Sequence, residues 1–135
     1  MKTRRKENKG TVLLAVVFAI ALLSVMTMGM LQINTEELQL MRNQIYAAHA
    51  LATAEAGLND ALSQIRLDDQ WGGPYVDEPF NAGSYDVTVT GTLPNLTIVS
   101  QGTSAQGFVA KVQADVTVGN TSPYIIRIDN LRINE

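Results

Sequence analysis

Apolar residues along this chain follow three successive patterns, and the first is an unbroken run. Residues 11–31 hold 21 positions without a charged side chain. A helix of 21 residues is about 31 Å long, close to the roughly 30 Å hydrocarbon thickness of a bilayer. This run therefore predicts a transmembrane helix over residues 11–31.

The second pattern is helical spacing in a more polar stretch, residues 32–66. Apolar residues recur there at steps of three and four, which is typical of an amphipathic helix. They are Leu38, Met41, Ile45, Ala48, Ala52, Leu58, Leu62 and Ile65. Because no proline occurs in residues 11–66, we predict one continuous helix that lies in lipid first and is amphipathic afterwards.

The helical pattern is lost in residues 67–83, where Gly72-Gly73-Pro74 and Pro79 indicate a connecting loop. Its acidic and aromatic side chains form a candidate recognition surface. They are Asp68, Asp69, Trp71, Tyr75, Asp77 and Glu78. In the alternative interpretation the acids are solvated, while Trp71, Tyr75 and Phe80 cover the open end of a small core. The carboxylates lack the spacing of a calcium-binding EF-hand, and no metal site is predicted.

The third pattern is alternation with a period of two, in residues 84–135. Residues 85–90 and 108–118 alternate apolar and polar side chains most clearly. One apolar face per strand and short turns predict an antiparallel sheet of about four strands, covered on that face by the amphipathic helix. The predicted fold class is α+β, with a long N-terminal helix packed on a small sheet.

Charge is distributed unevenly along the chain. The first ten residues contain five of the ten Lys and Arg residues and only one of the thirteen acids. Residues 11–135 therefore carry 5 basic and 12 acidic side chains, a net charge of −7. This acidic character argues against nucleic acid as a partner, because phosphates are bound by clustered basic residues.

This sequence does not support catalysis or metal binding that needs cysteine or several histidines. The chain has no cysteine and a single histidine, His49, and it carries no phosphate-binding loop or metal-ligand spacing. Cys-His dyads and Ser-His-Asp triads therefore lack either a required residue type or its sequence context. We predict no catalytic residue, no cofactor and no enzymatic activity.

The basic residues of the leader, residues 1–10, bear on topology. They are Lys2, Arg4, Arg5, Lys6 and Lys9, against the single acid Glu7. An excess of Lys and Arg keeps a flanking segment in the cytoplasm, so the N-terminus is predicted to be cytoplasmic and the residues after 31 to lie outside. The apolar run is longer than that of a secretory signal peptide, and no Ala-x-Ala cleavage site follows it. An uncleaved signal anchor stays open as an interpretation.

The junction between leader and helix resembles the N-terminus of type IV pilins. In both, a short basic leader ends in glycine, here Lys9-Gly10, and an apolar helix starts at once, here at Thr11. A second resemblance lies in Asn43–Ala48 and Ala54–Leu58, which are similar to the A-x-x-A-A-E-A-G-L ending of the N-terminal region in PilX-type minor pilins. Together the resemblance covers residues 9–62.

The resemblance implies processing and then assembly. A prepilin peptidase would cut between Gly10 and Thr11 and methylate Thr11 as the new N-terminus. The protein would cross the bacterial inner membrane once and then be built into a periplasmic or cell-surface filament. Its implied partners are this peptidase, an inner-membrane assembly platform, and other pilins or pseudopilins contacted through the N-terminal helix.

Small residues of the helix are candidates for close packing. Ala15 and Ala19 form a small-xxx-small pair that lets a second transmembrane helix approach. For Gly29 we expect either tolerated packing or local melting where the helix leaves the membrane. For Gly57 we expect either tolerated packing or close approach of the sheet.

Two positions depart from the pattern of major pilins, which carry phenylalanine at the first mature position and glutamate at the fifth. Thr11 and Ala15 stand at these positions here. The departure favours a minor pilin or pseudopilin that initiates, caps or modulates a filament. Three alternatives stay open: a type II secretion pseudopilin, an uncleaved single-pass protein with an outward-facing β-rich binding domain, and a filament-tip adhesin that uses residues 68–80.

Overall fold

The computed structural model describes residues 9–134, so Lys2, Arg4, Arg5 and Lys6 of the leader lie outside the described residues. The described residues form one helix, α1, followed by five strands, β1 to β5. Helix α1 spans Lys9–Leu67, and the strands span Tyr75–Phe80, Gly83–Thr92, Asn95–Thr103, Val109–Val118 and Ile126–Asn134. The predicted α+β class is confirmed, and the predicted helix of residues 11–66 agrees closely with α1.

The chain divides into two compact units after Met41. In the first unit the described residues belong to α1 alone. In the second unit the remainder of α1 lies against one antiparallel sheet, with strand order β1-β2-β3-β4-β5. Strand β3 is central, and it is paired along its whole length with β2 on one side and β4 on the other.

The sheet has five strands where the sequence predicts about four, and β1 is the additional one. It lies in the segment 67–83 that the sequence indicates as a connecting loop. Pro79 cannot donate a backbone hydrogen bond, but it is tolerated because β1 is an edge strand. A bulge between Tyr75 and Glu78 interrupts the pairing of β1 with β2 and removes the alternation on which strand prediction depends.

The core of the second unit lies between α1 and the sheet. The helix contributes mostly small residues, which let it approach the sheet closely. They are Ala50, Ala54, Leu58, Ala61 and Ile65. The sheet contributes alternate residues of β2, β3 and β4, as the predicted alternation requires. The largest that are fully buried are Val87, Ile98, Val112, Val116 and Val118.

The buried face of α1 differs from the apolar stripe that the sequence predicts. Leu58 and Ile65 are buried as predicted, and Leu62 is half-buried. The other five predicted positions are exposed, and we call them the outer stripe. They are Leu38, Met41, Ile45, Ala48 and Ala52. Alanine is frequent throughout residues 47–56, so more than one face of the helix fits the apolar spacing. For this reason periodicity alone predicts the wrong buried face at these five positions.

Candidate assembly surfaces

The predicted cleavage junction lies in the first turn of α1. Lys9 begins the helix, and Gly10 and Thr11 follow it in helical conformation with both residues exposed. Apart from its chain neighbours and the nearby helix backbone, no described residue lies within 4 Å of the position that a Cβ on Gly10 would occupy.

The apolar segment of residues 11–31 is exposed at every position. Its side chains cover all sides of the helix, and examples are Val17 at 60% and Phe18 at 66% exposure. The most apolar 18-residue stretch of α1 has a mean hydropathy of 2.6, and none of it is buried. By length and composition this helix near the N-terminus could span a membrane.

Two hydroxyls within the apolar segment, those of Ser24 and Thr27, are satisfied inside the helix. The Ser24 hydroxyl donates to the carbonyl oxygen of Ile20 at 2.8 Å, and the Thr27 hydroxyl donates to that of Ser24 at 2.9 Å. A hydroxyl that donates a hydrogen bond to a carbonyl of its own helix adds little to the free-energy cost of placing that helix in hydrocarbon. The segment thus suits lipid or an apolar neighbour.

Small residues shape one side of this segment. Ala15 lies in a shallow apolar groove with Leu14, Val17 and Phe18, and Ala19 lies one turn further along. Gly29 continues the helix without interruption, and a Cβ there would meet nothing within 4 Å beyond its chain neighbours and the nearby helix backbone. Whether a second helix uses this groove, or whether α1 melts at Gly29, stays a prediction.

Two glycines bring the backbone of α1 close to the sheet. A Cβ on Gly57 would lie 2.5 Å from Ser100 Oγ and 2.7 Å from the Tyr85 ring, so the predicted close approach is confirmed. A Cβ on Gly102, in β3, would clash with both the Ala50 carbonyl oxygen and the Ala54 nitrogen. Sequence reasoning did not identify Gly102, because a glycine inside a strand does not reveal what lies above it.

An aromatic cluster closes one flank of the core. The ring centroids of Trp71 and Tyr75 are 5.2 Å apart, and those of Tyr75 and Tyr85 are 5.9 Å apart in an edge-to-face arrangement. Trp71 and Tyr75 are half-buried and pack against the core. For these two residues the interpretation as a cover of the core is confirmed, whereas Phe80 is 36% exposed at the rim.

Asp60 of α1 is tied to this cluster, a role that the sequence did not predict. The Tyr85 hydroxyl donates a hydrogen bond of 3.0 Å to Asp60 Oδ2. Burial, together with this carboxylate, raises the pKa of Tyr85 to about 12. The same two causes raise the pKa of Tyr75. The helix and strand β2 are therefore joined by a polar contact beside an otherwise apolar core.

The four acidic residues of the candidate recognition surface have separate environments. Asp68 Oδ1 accepts a hydrogen bond of 3.0 Å from the Gln70 nitrogen, and the negative charge of Asp69 raises the pKa of Tyr124. The Asp77 nitrogen, in the bulge of β1, donates to Asp86 Oδ1 at 2.8 Å, while Glu78 is exposed. Within residues 9–134 no three acidic, histidine or cysteine side chains converge as metal ligands.

The far edge of the sheet, strand β5, carries a row of apolar side chains. Residues 126, 128, 131 and 133 of β5 pair with Val118, Val116, Ala114 and Val112, which are all buried. Paired residues share a face of the sheet, so this row continues the core face. We call it the β5 ledge: Ile126, Ile128, Leu131 and Ile133.

The β5 ledge is not fully covered. Ile126 packs against the core, but Ile128, Leu131 and Ile133 are 49%, 50% and 48% exposed. Aliphatic side chains on a core face that stay half-exposed mark a surface suited to another apolar group.

Comparison with known proteins finds no match to this chain among protein-family models, curated proteins or solved structures.

Proposed function

We propose that this protein is a minor pilin or pseudopilin, a structural subunit that joins, initiates or caps a type IV pilus-like filament after cleavage at Gly10. The observation that carries the proposal is the combination of the Lys9-Gly10-Thr11 junction with the length and division of α1. The helix has 59 residues, whereas an anchor that only crosses a bilayer needs about 20.

The division of α1 gives a physical reason for this length. Residues 11–31 expose apolar side chains on all sides, which suits first a bilayer and then a bundle of equivalent helices. Residues 50–65 supply one wall of the core of the sheet. A subunit built in this way keeps its head folded while its N-terminal segment moves from lipid to protein neighbours.

The residues at the first and fifth mature positions, Thr11 and Ala15, support a minor role over a bulk role. Ala15 stands where the carboxylate of major pilins would pair with the N-terminus of a neighbour, so the segment brings no such pair to a filament. The same features fit a pseudopilin of a type II secretion system equally well.

Processing at the junction is the test, by intact-mass spectrometry of the protein purified from its native membrane. We expect the native chain to begin at Thr11 with one added methyl group, and a Gly10→Ala variant to keep its leader. Gly29→Ala is the matched control, since it changes another exposed glycine of the same helix and should be processed normally. A native chain that retains residues 1–10 would overturn the proposal and favour an uncleaved anchor with an outward-facing binding domain.

A further inference from the structure

We propose that a cleft beside α1 binds a neutral sugar ring, which adds a binding activity to the proposed structural role. The cleft lies within the second unit and has a volume of about 230 Å³. One wall is the part of α1 from Tyr46 to Thr53. The other walls are residues 80–83, at the β1–β2 turn, and residues 104–106 of the β3–β4 turn. We call this site the turn cleft.

The walls of the turn cleft are held by short turns and by aromatic packing. The β1–β2 turn has only two residues, and Asn81 in it takes a positive φ of 52°, a conformation that asparagine tolerates well. In the β3–β4 turn the Ser104 nitrogen donates to the Phe108 carbonyl oxygen at 2.8 Å. The ring centroids of Phe108 and Tyr46 are 5.7 Å apart. The cleft is therefore preformed, as small-molecule sites usually are.

Two buried hydroxyl groups line the turn cleft and keep hydrogen-bonding capacity for a ligand. Thr53 and Ser104 are 5% and 6% exposed. The Thr53 hydroxyl donates to the His49 carbonyl oxygen at 2.8 Å, so its oxygen can still accept. Ser104 Oγ accepts from the Phe108 nitrogen at 3.1 Å, and its proton has no acceptor within residues 9–134. A ligand hydroxyl, which both donates and accepts, complements these two residues.

The turn cleft is lined without Asp, Glu, Lys or Arg among the described residues. Residues 11–135 nevertheless carry 5 basic and 12 acidic side chains. A charged ligand would lose water in the cleft without gaining an ion pair, which is unfavourable. A purely apolar ligand is also disfavoured, because it would cover the Ser104 proton without accepting it. The lining therefore favours a ligand that is neutral and carries hydroxyl groups.

Aromatic rings and amides of the turn cleft match a sugar ring in particular. A pyranose ring has apolar C–H faces, which pack on aromatic rings, and an edge of hydroxyl groups. Tyr46 and Phe80 supply the aromatic rings, and Asn81 and Gln106 supply amides that both donate and accept. The volume of the cleft is below the roughly 300–1,000 Å³ of sites for drug-sized ligands. It therefore suits one ring and not an extended chain.

Saturation-transfer NMR tests the site on the full-length protein, in a detergent whose head group is not a sugar. The probes are D-glucose, D-galactose and N-acetyl-D-glucosamine, with D-glucuronate, D-galacturonate and D-glucosamine as their charged counterparts. We expect saturation transfer to at least one neutral sugar and weaker transfer to its charged counterpart. The assay requires neither cleavage at Gly10 nor a filament, so its outcome is independent of the proposed function.

The methyl glycoside of each neutral sugar distinguishes two sources of the ring. Transfer to the glycoside as well as to the free sugar would indicate the terminal ring of a glycan, which is linked through the same oxygen. Transfer to the free sugar alone would indicate a free monosaccharide. Both outcomes support a site for a neutral sugar ring.

Two tryptophan variants locate the binding. Ala52 is an exposed residue that lines the turn cleft, so Ala52→Trp places a large ring there and should remove the signal. Ala48→Trp is the matched control, because Ala48 is an exposed alanine one turn earlier in α1 that does not line the cleft. This variant should bind as the wild type does. Unchanged thermal unfolding of both variants establishes that the sheet is intact.

A smaller change tests the polar contacts. Gln106→Ala removes one amide of the turn cleft and should weaken binding by about two- to tenfold, the effect of one neutral hydrogen bond. Gln70→Ala changes an exposed glutamine outside the cleft and should bind as the wild type does. The proposal would be overturned by an absence of transfer to every neutral sugar, by stronger transfer to the charged counterparts, or by equal binding of Ala52→Trp and the wild type.

Discussion

The two ends of α1 are both rich in apolar residues, but only one of them is covered. Residues 11–31 carry large aliphatic side chains on every side, and all are exposed. Residues 50–65 carry small residues on one face, and that face is buried under the sheet. The width of the apolar surface therefore distinguishes a helix that needs lipid or neighbours all round from a helix that needs one flat partner.

The glycines of α1 and β3 show the same contrast. Gly29 has open space around its Cα, whereas Gly102 lies against the helix backbone. In the exposed segment a glycine only weakens the helix. In the covered segment it sets the distance between helix and sheet. Three changes test this contrast, beginning with the largest expected effect.

Val17→Arg should lower membrane insertion, since a charge in the centre of a spanning helix costs about 2.5–3.5 kcal/mol. Leu40→Arg is the control, because Leu40 is 62% and Val17 is 60% exposed, yet Leu40 follows the apolar segment. The ratio of inserted to uninserted protein in washed membranes measures the effect. Equal insertion of the two variants would mean that residues 11–31 do not lie in a bilayer.

Gly102→Ala should destabilise the sheet unit by about 2–3 kcal/mol, because the new methyl group meets helix backbone that cannot rotate away. Gly29→Ala should instead leave the unit unchanged and favour the helix by about 1 kcal/mol. Denaturant unfolding in detergent, followed by tryptophan fluorescence of Trp71, measures both. An unchanged midpoint for Gly102→Ala would show that helix and sheet are not in direct backbone contact.

Tyr85→Phe should cost about 1 kcal/mol at neutral pH, the typical net contribution of one hydrogen bond. It should also reduce the loss of stability at high pH. The folded protein keeps the proton of Tyr85 up to a pKa of about 12, whereas an unfolded tyrosine loses it near about 10. Stability therefore falls as pH rises between these values, since the unfolded state then binds fewer protons.

The pH dependence of unfolding, with tyrosinate absorbance as a second readout, checks this prediction. A residual slope in Tyr85→Phe is expected, because the pKa values of Tyr75 and Tyr124 are raised as well. Tyr46→Phe serves as the control, because the Tyr46 hydroxyl makes no hydrogen bond within residues 9–134. The same slope in wild type and Tyr85→Phe would contradict the assigned contact with Asp60.

Much of the fold follows from periodicity in the sequence. The helix and the strands β2 and β4 have strong periods, and each is found close to its predicted place. Strand β1 was missed because Pro79 and the bulge at Asp77 break the alternation, and only its pairing with β2 makes it a strand. The extent of β5 is not evident from the sequence for the same reason, since Asp129 interrupts its alternation at a second bulge.

The candidate surfaces were less predictable than the fold. A junction such as Gly10-Thr11 is a local motif and can be found in the sequence alone. The buried face of α1 depends on which alanines meet the sheet, and several alternatives have the same apolar spacing. The contacts of Asp60 with Tyr85 and of Gly102 with α1 join residues that are distant in sequence, and no local pattern indicates them.

The closeness of Gly102 to α1 has a mechanical consequence. The helix backbone rests directly on β3, the central strand, which is held by antiparallel hydrogen bonds along its whole length on both sides. A pull along the part of α1 that lies over the sheet is thus delivered to a strand that is hydrogen-bonded on both sides. This contact does not involve the edge strands β1 and β5, so tension on the helix need not separate these strands from the sheet.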